Sequence, residues 1–353
     1  MRLSKVLSIA GATGAWVIGS GFATGQEILR FYSSYGAQSF GAVLVSYVLF
    51  TLIIACLCEL GYYKGQEQDF QPYVYICGKK IAYVYSLLIS VTLLLVNGLI
   101  VSGAGTTLYE AYGFNKYIAS AVFSLATLLA YFWGFQKMVG LISKLGAALI
   151  CCTIFIAGYS TFTNLEGFAG LSEAGALLAD KQTTFSWWFS GLLYTSLIMF
   201  PGGFYFCELG KDCRSRAEAF GGAVLGVLFI MVTVLLINCG VLLNAQAVYN
   251  IDVPNVYLAG KISPLLGNAM ALLLYLGMFS CCCTLLWTLC SRFYQDNPKA
   301  NKRLAVGLAS IAYFLGLFPF GELVGLLYPI MGACGLYFVV CVIFSFSKGA
   351  YRK

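Results

Sequence analysis

The chain has 353 residues, of which 60% are hydrophobic and only 10% are charged. Soluble domains carry about 25% charged residues, so this composition excludes a water-soluble globular protein and indicates an integral membrane protein. The net charge of +7 does not indicate a nucleic-acid partner, because the basic residues lie in short loops between apolar stretches, where they orient a membrane protein.

The first apolar stretch, residues 4–31, contains the glycine-rich string GSGFATG, followed by Glu27. Glycine costs about 1 kcal/mol relative to alanine inside a helix, so this stretch is predicted to be a membrane helix interrupted at Gly19 to Gly21. The basic and apolar N-terminus resembles a signal peptide, but no polar region follows it. We therefore interpret it as a retained first helix.

Ten stretches satisfy the need of a helical span for about 20 mostly apolar residues. They are 4–31, 39–62, 80–110, 116–134, 138–160, 186–211, 217–244, 264–290, 303–319 and 323–346. With the N-terminus inside, most Lys and Arg residues fall on the inner side, which supports this count and predicts cytoplasmic N- and C-termini. The two long outer loops, 163–184 and 246–263, are predicted either to contain a short surface helix each or to be irregular.

The sixth stretch repeats the pattern of the first. Pro201-Gly202-Gly203 interrupts it near its middle and Glu208 follows, as Glu27 follows the first glycines. Because five is odd, two consecutive five-span halves, 1–162 and 184–348, have opposite orientations in the membrane. Such inverted repeats, with substrate sites at discontinuous helices, are typical of secondary transporters. The alternative is that the glycines only line close helix crossings.

An interrupted helix exposes backbone N–H groups with a positive dipole on one half and carbonyl groups with a negative dipole on the other. A carboxylate binds to the first and a cation to the second, without a buried charged side chain. The paired interruptions therefore predict a site for an amino acid or a related zwitterion.

Gly19-Ser20-Gly21 resembles the first-helix signature of the amino acid–polyamine–organocation (APC) superfamily, which has the LeuT fold. The longer string GSGFATGQEI, with FYSSYG after it, is similar to the opening of the YkvI-like amino-acid permease family. The resemblance implies an all-α integral membrane protein with one transporter domain over residues 1–353. Its ten transmembrane helices would form a 5+5 inverted repeat, with helices 1 and 6 discontinuous, in the plasma (inner) membrane of a bacterium.

The resemblance also implies a substrate site between spans one, three, six and eight. The matching residues are Gly19, Ser20, Gly21, Phe22, Asn97, Phe200, Gly202, Gly203 and Phe204. An interhelical hydrogen bond is the alternative role for Asn97. The positions that match the sodium site of the fold are Ala15, Ile18, Gly277, Ser280 and Cys281. Because a thiol is a soft ligand and sodium prefers hard oxygen ligands, Na+ and H+ both stay open as the coupling ion.

Glu27 and Glu208 are carboxylates inside predicted spans, where ionisable groups are functional candidates by default. They are expected to carry protons or to gate the site. The alternatives are i,i+3 ion pairs, of Glu27 with Arg30 and of Glu208 with Lys211. Lys144 is a further candidate for proton coupling, although its shallow position in span five fits a side chain that reaches the inner vestibule.

We therefore expect a secondary active transporter, an ion-coupled symporter or exchanger of a small amino acid, that works by alternating access. A non-transporting membrane receptor of a small ligand on the same fold is the alternative. An enzyme is not expected, because the sequence contains no nucleophile–His pairing, metal cluster or phosphate-binding loop. The expected partners are the substrate and the lipid bilayer, with no cofactor, nucleic acid or obligate protein partner.

Overall fold

The computed structural model describes residues 2–67, 70–133, 139–293 and 298–347. The side chains of Ser20, of residues 139–145 and of Pro298 lie outside this description. The Lys144 side chain, one of the predicted coupling groups, therefore lies outside the described residues.

The described residues are almost entirely helical, as expected where a bilayer offers no hydrogen-bond partners to the backbone. The helices are α1 Leu3–Val17, α2 Ser20–Thr24, α3 Gln26–Phe31, α4 Ser39–Lys64, α5 Pro72–Cys77, α6 Lys79–Tyr112, α7 Lys116–Trp133, α8 Val139–Phe162, α9 Leu171–Leu177, α10 Trp187–Lys211, α11 Arg216–Leu242, α12 Ala245–Val248, α13 Pro254–Ile262, α14 Pro264–Phe293, α15 Pro298–Leu315 and α16 Phe320–Ser347. Short 3-10 helices cover Ser33–Gln38, Leu165–Gly170 and Ala179–Lys181.

Seven helices of the described chain are long and apolar enough to cross a membrane by themselves. An eighth span results if Gly146–Phe162 and Leu165–Leu177, which meet at an 81° bend, are counted as one. Each predicted stretch corresponds to at least one helix, but α1 has only 15 residues and α15 begins with several basic side chains. The count of ten spans and their 5+5 arrangement remain predictions.

The first predicted span is divided into α1, α2 and α3. The chain leaves helical geometry at Ile18 and Gly19, and again at Gly25, whose φ of 87° is the left-handed conformation that favours glycine. Neighbouring side chains bind the backbone near Gly25. Asn255 donates to the Ala23 carbonyl oxygen at 2.9 Å, and the Thr24 hydroxyl donates to the Gly21 oxygen at 2.6 Å.

The prediction that the sixth span is discontinuous is wrong. The helix α10 runs from Trp187 to Lys211 with Pro201 inside it. Proline lacks an N–H donor and weakens one turn, but one missing donor does not have to end a helix whose other backbone groups are satisfied. A tyrosine hydroxyl from α5 contacts this turn, as described below.

Glycines allow α4 and α10 to pack closely. A Cβ atom at Gly61 would overlap the Cys207 carbonyl, and a Cβ atom at Gly210 would overlap the Cys58 carbonyl. Small residues at such crossings let backbones approach where lipid gives no hydrophobic drive for association. The helix α10 also packs against α16, while α1 packs against α11 and α14 packs against α6. The candidate site lies among these helices.

The two ends of the bundle are distinguished by their loops. One end, which we call the N-terminal face, carries the ion pairs of Arg2 with Glu218 and of Arg216 with Glu59. The other, the opposite face, is covered by α9, α12 and α13, so the short helices predicted for both long loops are confirmed. On this face the Glu110 carboxylate accepts the backbone N–H groups of Asp252 and Val253 at 2.7 and 3.0 Å, which fixes the start of α13.

Candidate functional site

A buried carboxyl group lies where α3, α10 and α16 meet. Glu27 is 5% exposed. Its Oε2 accepts the hydroxyl of Tyr194 from α10, and its Oε1 accepts the hydroxyl of Tyr328 from α16, both at 3.1 Å. None of the ion pairs among the described residues includes Glu27. The site therefore contains a carboxyl group that hydroxyl groups, not a cation, stabilise.

The Glu27 carboxyl lies directly against Gly21. A Cβ atom at Gly21 would overlap Oε1 of Glu27 and would lie 3.3 Å from the Tyr328 hydroxyl. Side chains in a helix lean towards its N-terminus, and Glu27 is in the first turn of α3, so its carboxyl turns back towards α2. The structure thus brings together two residues that the sequence singled out separately.

Arg30 does not pair with Glu27, so the i,i+3 ion pair proposed as an alternative is wrong. The guanidinium of Arg30 instead packs against Gly325 of α16. The acidic residues around Arg30 are Asp252, Asp180 and Glu322, all nearer the opposite face. Burial raises the pKa of Asp252, which lies in the loop before α13, and the positive charge of Arg30 opposes that shift. Arg30 therefore belongs to a separate charged cluster, which lies nearer the opposite face than the carboxyl group of Glu27.

The other predicted residues of the first span lie beside the interruption. Phe22 is fully buried, and Gly19 has open space where a Cβ atom would stand. Ser20 begins α2, but its side chain lies outside the described residues. Ile18 is buried and Ala15 is exposed.

Three of the five positions matched to a sodium site lie on the same helix. Gly277, Ser280 and Cys281 lie on α14, which packs against α2. Ser280 is buried, and its carbonyl accepts the hydroxyl of Thr284 within the same helix. The sodium site remains a prediction.

Asn97 forms a hydrogen bond between helices, which was the alternative to substrate binding. The thiol of Cys282 on α14 donates to Oδ1 of Asn97 at 2.9 Å, and both residues are buried. Asn97 is therefore engaged by span eight.

The residues predicted from the sixth span lie on different sides of α10. Phe200 is fully buried, with its ring centroid 5.0 Å from that of Tyr85. Gly202 leaves room for the indole of Trp16, which stacks on Tyr205 at 4.6 Å. Phe204 is 53% exposed, so it does not share the buried surroundings of Phe200. A helix places neighbouring residues about 100° apart, so Gly202, Gly203 and Phe204 face in three different directions.

Tyr73 of α5 contacts the turn of α10 that contains Pro201. Its hydroxyl donates to the Phe200 carbonyl at 2.7 Å and accepts the Gly203 N–H at 3.2 Å. Only glycine fits at position 203 without a close contact, because a Cβ atom there would lie 2.9 Å from the Tyr73 hydroxyl and 2.8 Å from Phe338. Gly203 therefore accommodates a side chain of the protein itself.

A cleft of about 770 Å³ opens from the N-terminal face towards Tyr73. Its lining includes the charged side chains of Glu67, Lys79 and Arg292, together with Phe204 and Ser86. Charged groups of both signs in the lining indicate that the cleft opens to the aqueous side of this face. Tyr73 lies between the cleft and the Pro201 turn.

Glu208 forms the ion pair that was its alternative role. Its carboxylate lies 3.8 Å from the Lys211 ammonium, and its side chain is 43% exposed. An exposed ion pair contributes little stability and leaves the carboxylate in contact with solvent. Glu208 therefore does not mirror the buried position of Glu27.

Sequence reasoning missed the three tyrosines of the site, Tyr73, Tyr194 and Tyr328. The chain contains 24 tyrosines, so the residue type alone identifies no position. The available signal was that a tyrosine inside an apolar helix needs a partner for its hydroxyl. Which partner it finds depends on helix packing.

Two curated proteins of Bacillus subtilis (strain 168) are similar to the chain over nearly its whole length. The uncharacterized membrane protein YkvI is 22% identical over 325 residues, which cover 92% of this chain and 91% of YkvI. The uncharacterized protein YyaD is 22% identical over 328 residues, 93% of each chain. No family model matches the chain. The resemblance to the YkvI-like family, predicted from the strings GSGFATGQEI and FYSSYG, is therefore confirmed and extends far beyond them.

Among solved structures, the crystal structure of MhsT in complex with L-phenylalanine superposes with a TM-score of 0.58 at 16% identity. The match covers 92% of this chain and 80% of MhsT. This likeness shows the fold, which is the LeuT fold predicted from the GSG string.

Proposed function

We propose that the protein is a secondary active transporter of a small amino acid or a related zwitterion, driven by an ion gradient. Substrate would move by alternating access between the two faces of the bundle, without a chemical step, so the protein is not an enzyme. The N-terminal face is proposed to be cytoplasmic, as the distribution of Lys and Arg predicts.

The observation that carries the proposal is the Glu27 carboxyl beside the interrupted first span. It lies against Gly21 and is held by hydroxyl groups from α10 and α16. A buried carboxyl that lacks an ionic partner is costly to maintain, and such groups in membrane spans mark ion and substrate pathways. The LeuT fold supports the proposal, because substrates of such folds bind at interrupted helices.

We propose protons as the coupling ion and Glu27 as their carrier. Protonation removes the cost of a buried charge, so the two states of Glu27 favour different packing of α2 against α10 and α16. Tyr194, Tyr328 and the nearby Tyr32 are the titratable groups that face Glu27, and none of them carries a charge near neutral pH. Sodium remains the alternative coupling ion, and it would bind at the matched positions that include those on α14.

Purified protein in proteoliposomes tests the proposal directly. A panel of labelled amino acids is offered with a pH gradient and a sodium gradient imposed separately. We expect accumulation of at least one amino acid under the pH gradient alone. Binding without gradient-driven uptake or counterflow across the whole panel would favour the receptor, and the absence of both binding and uptake would reject the proposal.

A further inference from the structure

Tyr73 lies on α5, a helix of six residues between α4 and α6 on the N-terminal face. Its ring packs against Phe338 of α16 and Tyr85 of α6, with centroids 5.2 and 6.2 Å away. The hydroxyl emerges from this aromatic cluster and reaches the backbone of α10. The contact therefore joins the floor of the cleft to the Pro201 turn.

The hydroxyl makes two hydrogen bonds of opposite sense at that turn. It donates to the carbonyl of Phe200, as an ammonium group would, and it accepts the N–H of Gly203, as a carboxylate would. Pro201 has no N–H to donate to the carbonyl of Leu197, so α10 lacks one backbone hydrogen bond in the turn that leads to Phe200 and Gly203.

We infer that the Tyr73 hydroxyl occupies the place where the polar groups of the substrate bind to the backbone of the Pro201 turn. It also closes this place towards the N-terminal face. The inference rests on the proposed function. The ligand class is a molecule with a cationic N–H donor and an anionic oxygen a few atoms apart, as in an α-amino acid. Release into the cleft requires α5 to withdraw, and the substrate and Tyr73 compete for the same backbone groups.

The surroundings of Tyr73 are built for this exchange of partners. Gly203 has no side chain, so either the tyrosine or a ligand can approach its N–H. Glu67, Lys79 and Arg292 provide charged groups along the cleft that leads away from the turn, and Phe204 forms part of its apolar wall. The helix α5 contacts α6, α10 and α16 but is too short to be rigid alone, so its position depends on those contacts.

The first test compares Tyr73→Phe with Tyr83→Phe, a control whose side chain lines the same cleft and is 79% exposed. Hydrogen exchange is measured for the segment 199–204, and binding is measured with labelled L-alanine and L-phenylalanine. We expect Tyr73→Phe to speed hydrogen exchange of this segment at least about fivefold, because both hydrogen bonds of the hydroxyl are lost, and to tighten binding. Tyr83→Phe should change neither.

Tighter binding separates competition from a merely structural role, because a lost structural contact would weaken binding. The inference would be overturned if Tyr73→Phe left the hydrogen exchange of this segment unchanged, or if it bound the amino acids more weakly while it kept its fold. If neither amino acid binds to the wild type or to either variant, the hydrogen exchange of segment 199–204 alone decides the role of Tyr73. The uptake panel then decides separately whether the proposed function fails.

A second test uses a pair of native cysteines. Cys77 ends α5 and lies within hydrogen-bonding reach of Cys341 on α16. Oxidation with copper phenanthroline should join them and hold α5 over the turn, which should block substrate exchange until dithiothreitol is added. Cys77→Ser, treated in the same way, controls for oxidation of the other cysteines. Full exchange activity in cross-linked protein would contradict the inference.

Discussion

Glu27 is a buried carboxyl group held by two tyrosine hydroxyls. A charge that is buried without a cationic partner costs several kcal/mol, roughly, and hydrogen bonds to hydroxyl groups recover only part of that cost. The balance between its charged and neutral forms is therefore sensitive to small movements of Tyr194 and Tyr328. Because those residues lie on α10 and α16, a proton at Glu27 is linked to the packing of both helices.

Substitution of Glu27 tests this link. Glu27→Gln keeps the shape of the side chain but cannot gain or lose a proton. Its amide oxygen accepts the hydroxyl of one tyrosine, and its NH2 group donates to the hydroxyl oxygen of the other. We expect it to abolish accumulation driven by a pH gradient while it retains exchange of labelled for unlabelled substrate. The measurement is uptake and counterflow in proteoliposomes across a range of pH.

Glu208→Gln is the matched control, because Glu208 is a partly exposed carboxylate paired with Lys211. Its uptake should follow the same pH profile as the wild type. If Glu208→Gln flattened the pH profile and Glu27→Gln left it unchanged, the proton carrier would be Glu208 and the proposal for Glu27 would be wrong.

At the scale of helices, the close contact between α4 and α10 depends on glycines, which have no side chain at the crossing. Gly210→Ala would place a methyl group on the Cys58 carbonyl, and neither backbone can yield without moving a whole helix. We expect a loss of roughly 1–3 kcal/mol in stability, the usual cost of overpacking. The measurement is the thermal unfolding midpoint of detergent-solubilised protein.

Gly158→Ala in α8 is the control for the effect of alanine itself. A Cβ atom at Gly158 would have no heavy atom within 4 Å. Alanine favours the helix by about 1 kcal/mol relative to glycine, so this variant should be as stable as the wild type or more stable. Equal destabilisation by both substitutions would mean that the glycine contacts of α4 and α10 do not limit stability.

At the scale of the whole molecule, the two faces of the bundle should lie on opposite sides of the membrane. Lys299 is exposed near the start of α15, and Glu166 is exposed in the 3-10 helix before α9. In intact cells, a membrane-impermeant maleimide should label Glu166→Cys, and it should label Lys299→Cys only after permeabilisation. Labelling of the wild type gives the background from native cysteines. The reverse pattern would invert the proposed orientation.

The sequence alone determined the class of the protein and the place of its first interruption. Low charge, apolar stretches and basic loops define a membrane protein because the bilayer imposes these requirements on every span. Glycines close together disfavour a continuous helix by their own conformational freedom, so the interruption near Gly19 follows from local chemistry. The resemblance to YkvI depended on the same short string.

Only the tertiary structure decided which side chains complete the site. Pro201 and its glycines suggested a second interruption, but α10 stays helical and Tyr73 binds its weakened turn. Spacing suggested that Glu27 pairs with Arg30, but Gly25 turns α3 so that Glu27 meets Gly21, Tyr194 and Tyr328 instead. These partners lie up to about 300 residues away along the chain. Such contacts depend on how helices cross, which local patterns do not encode.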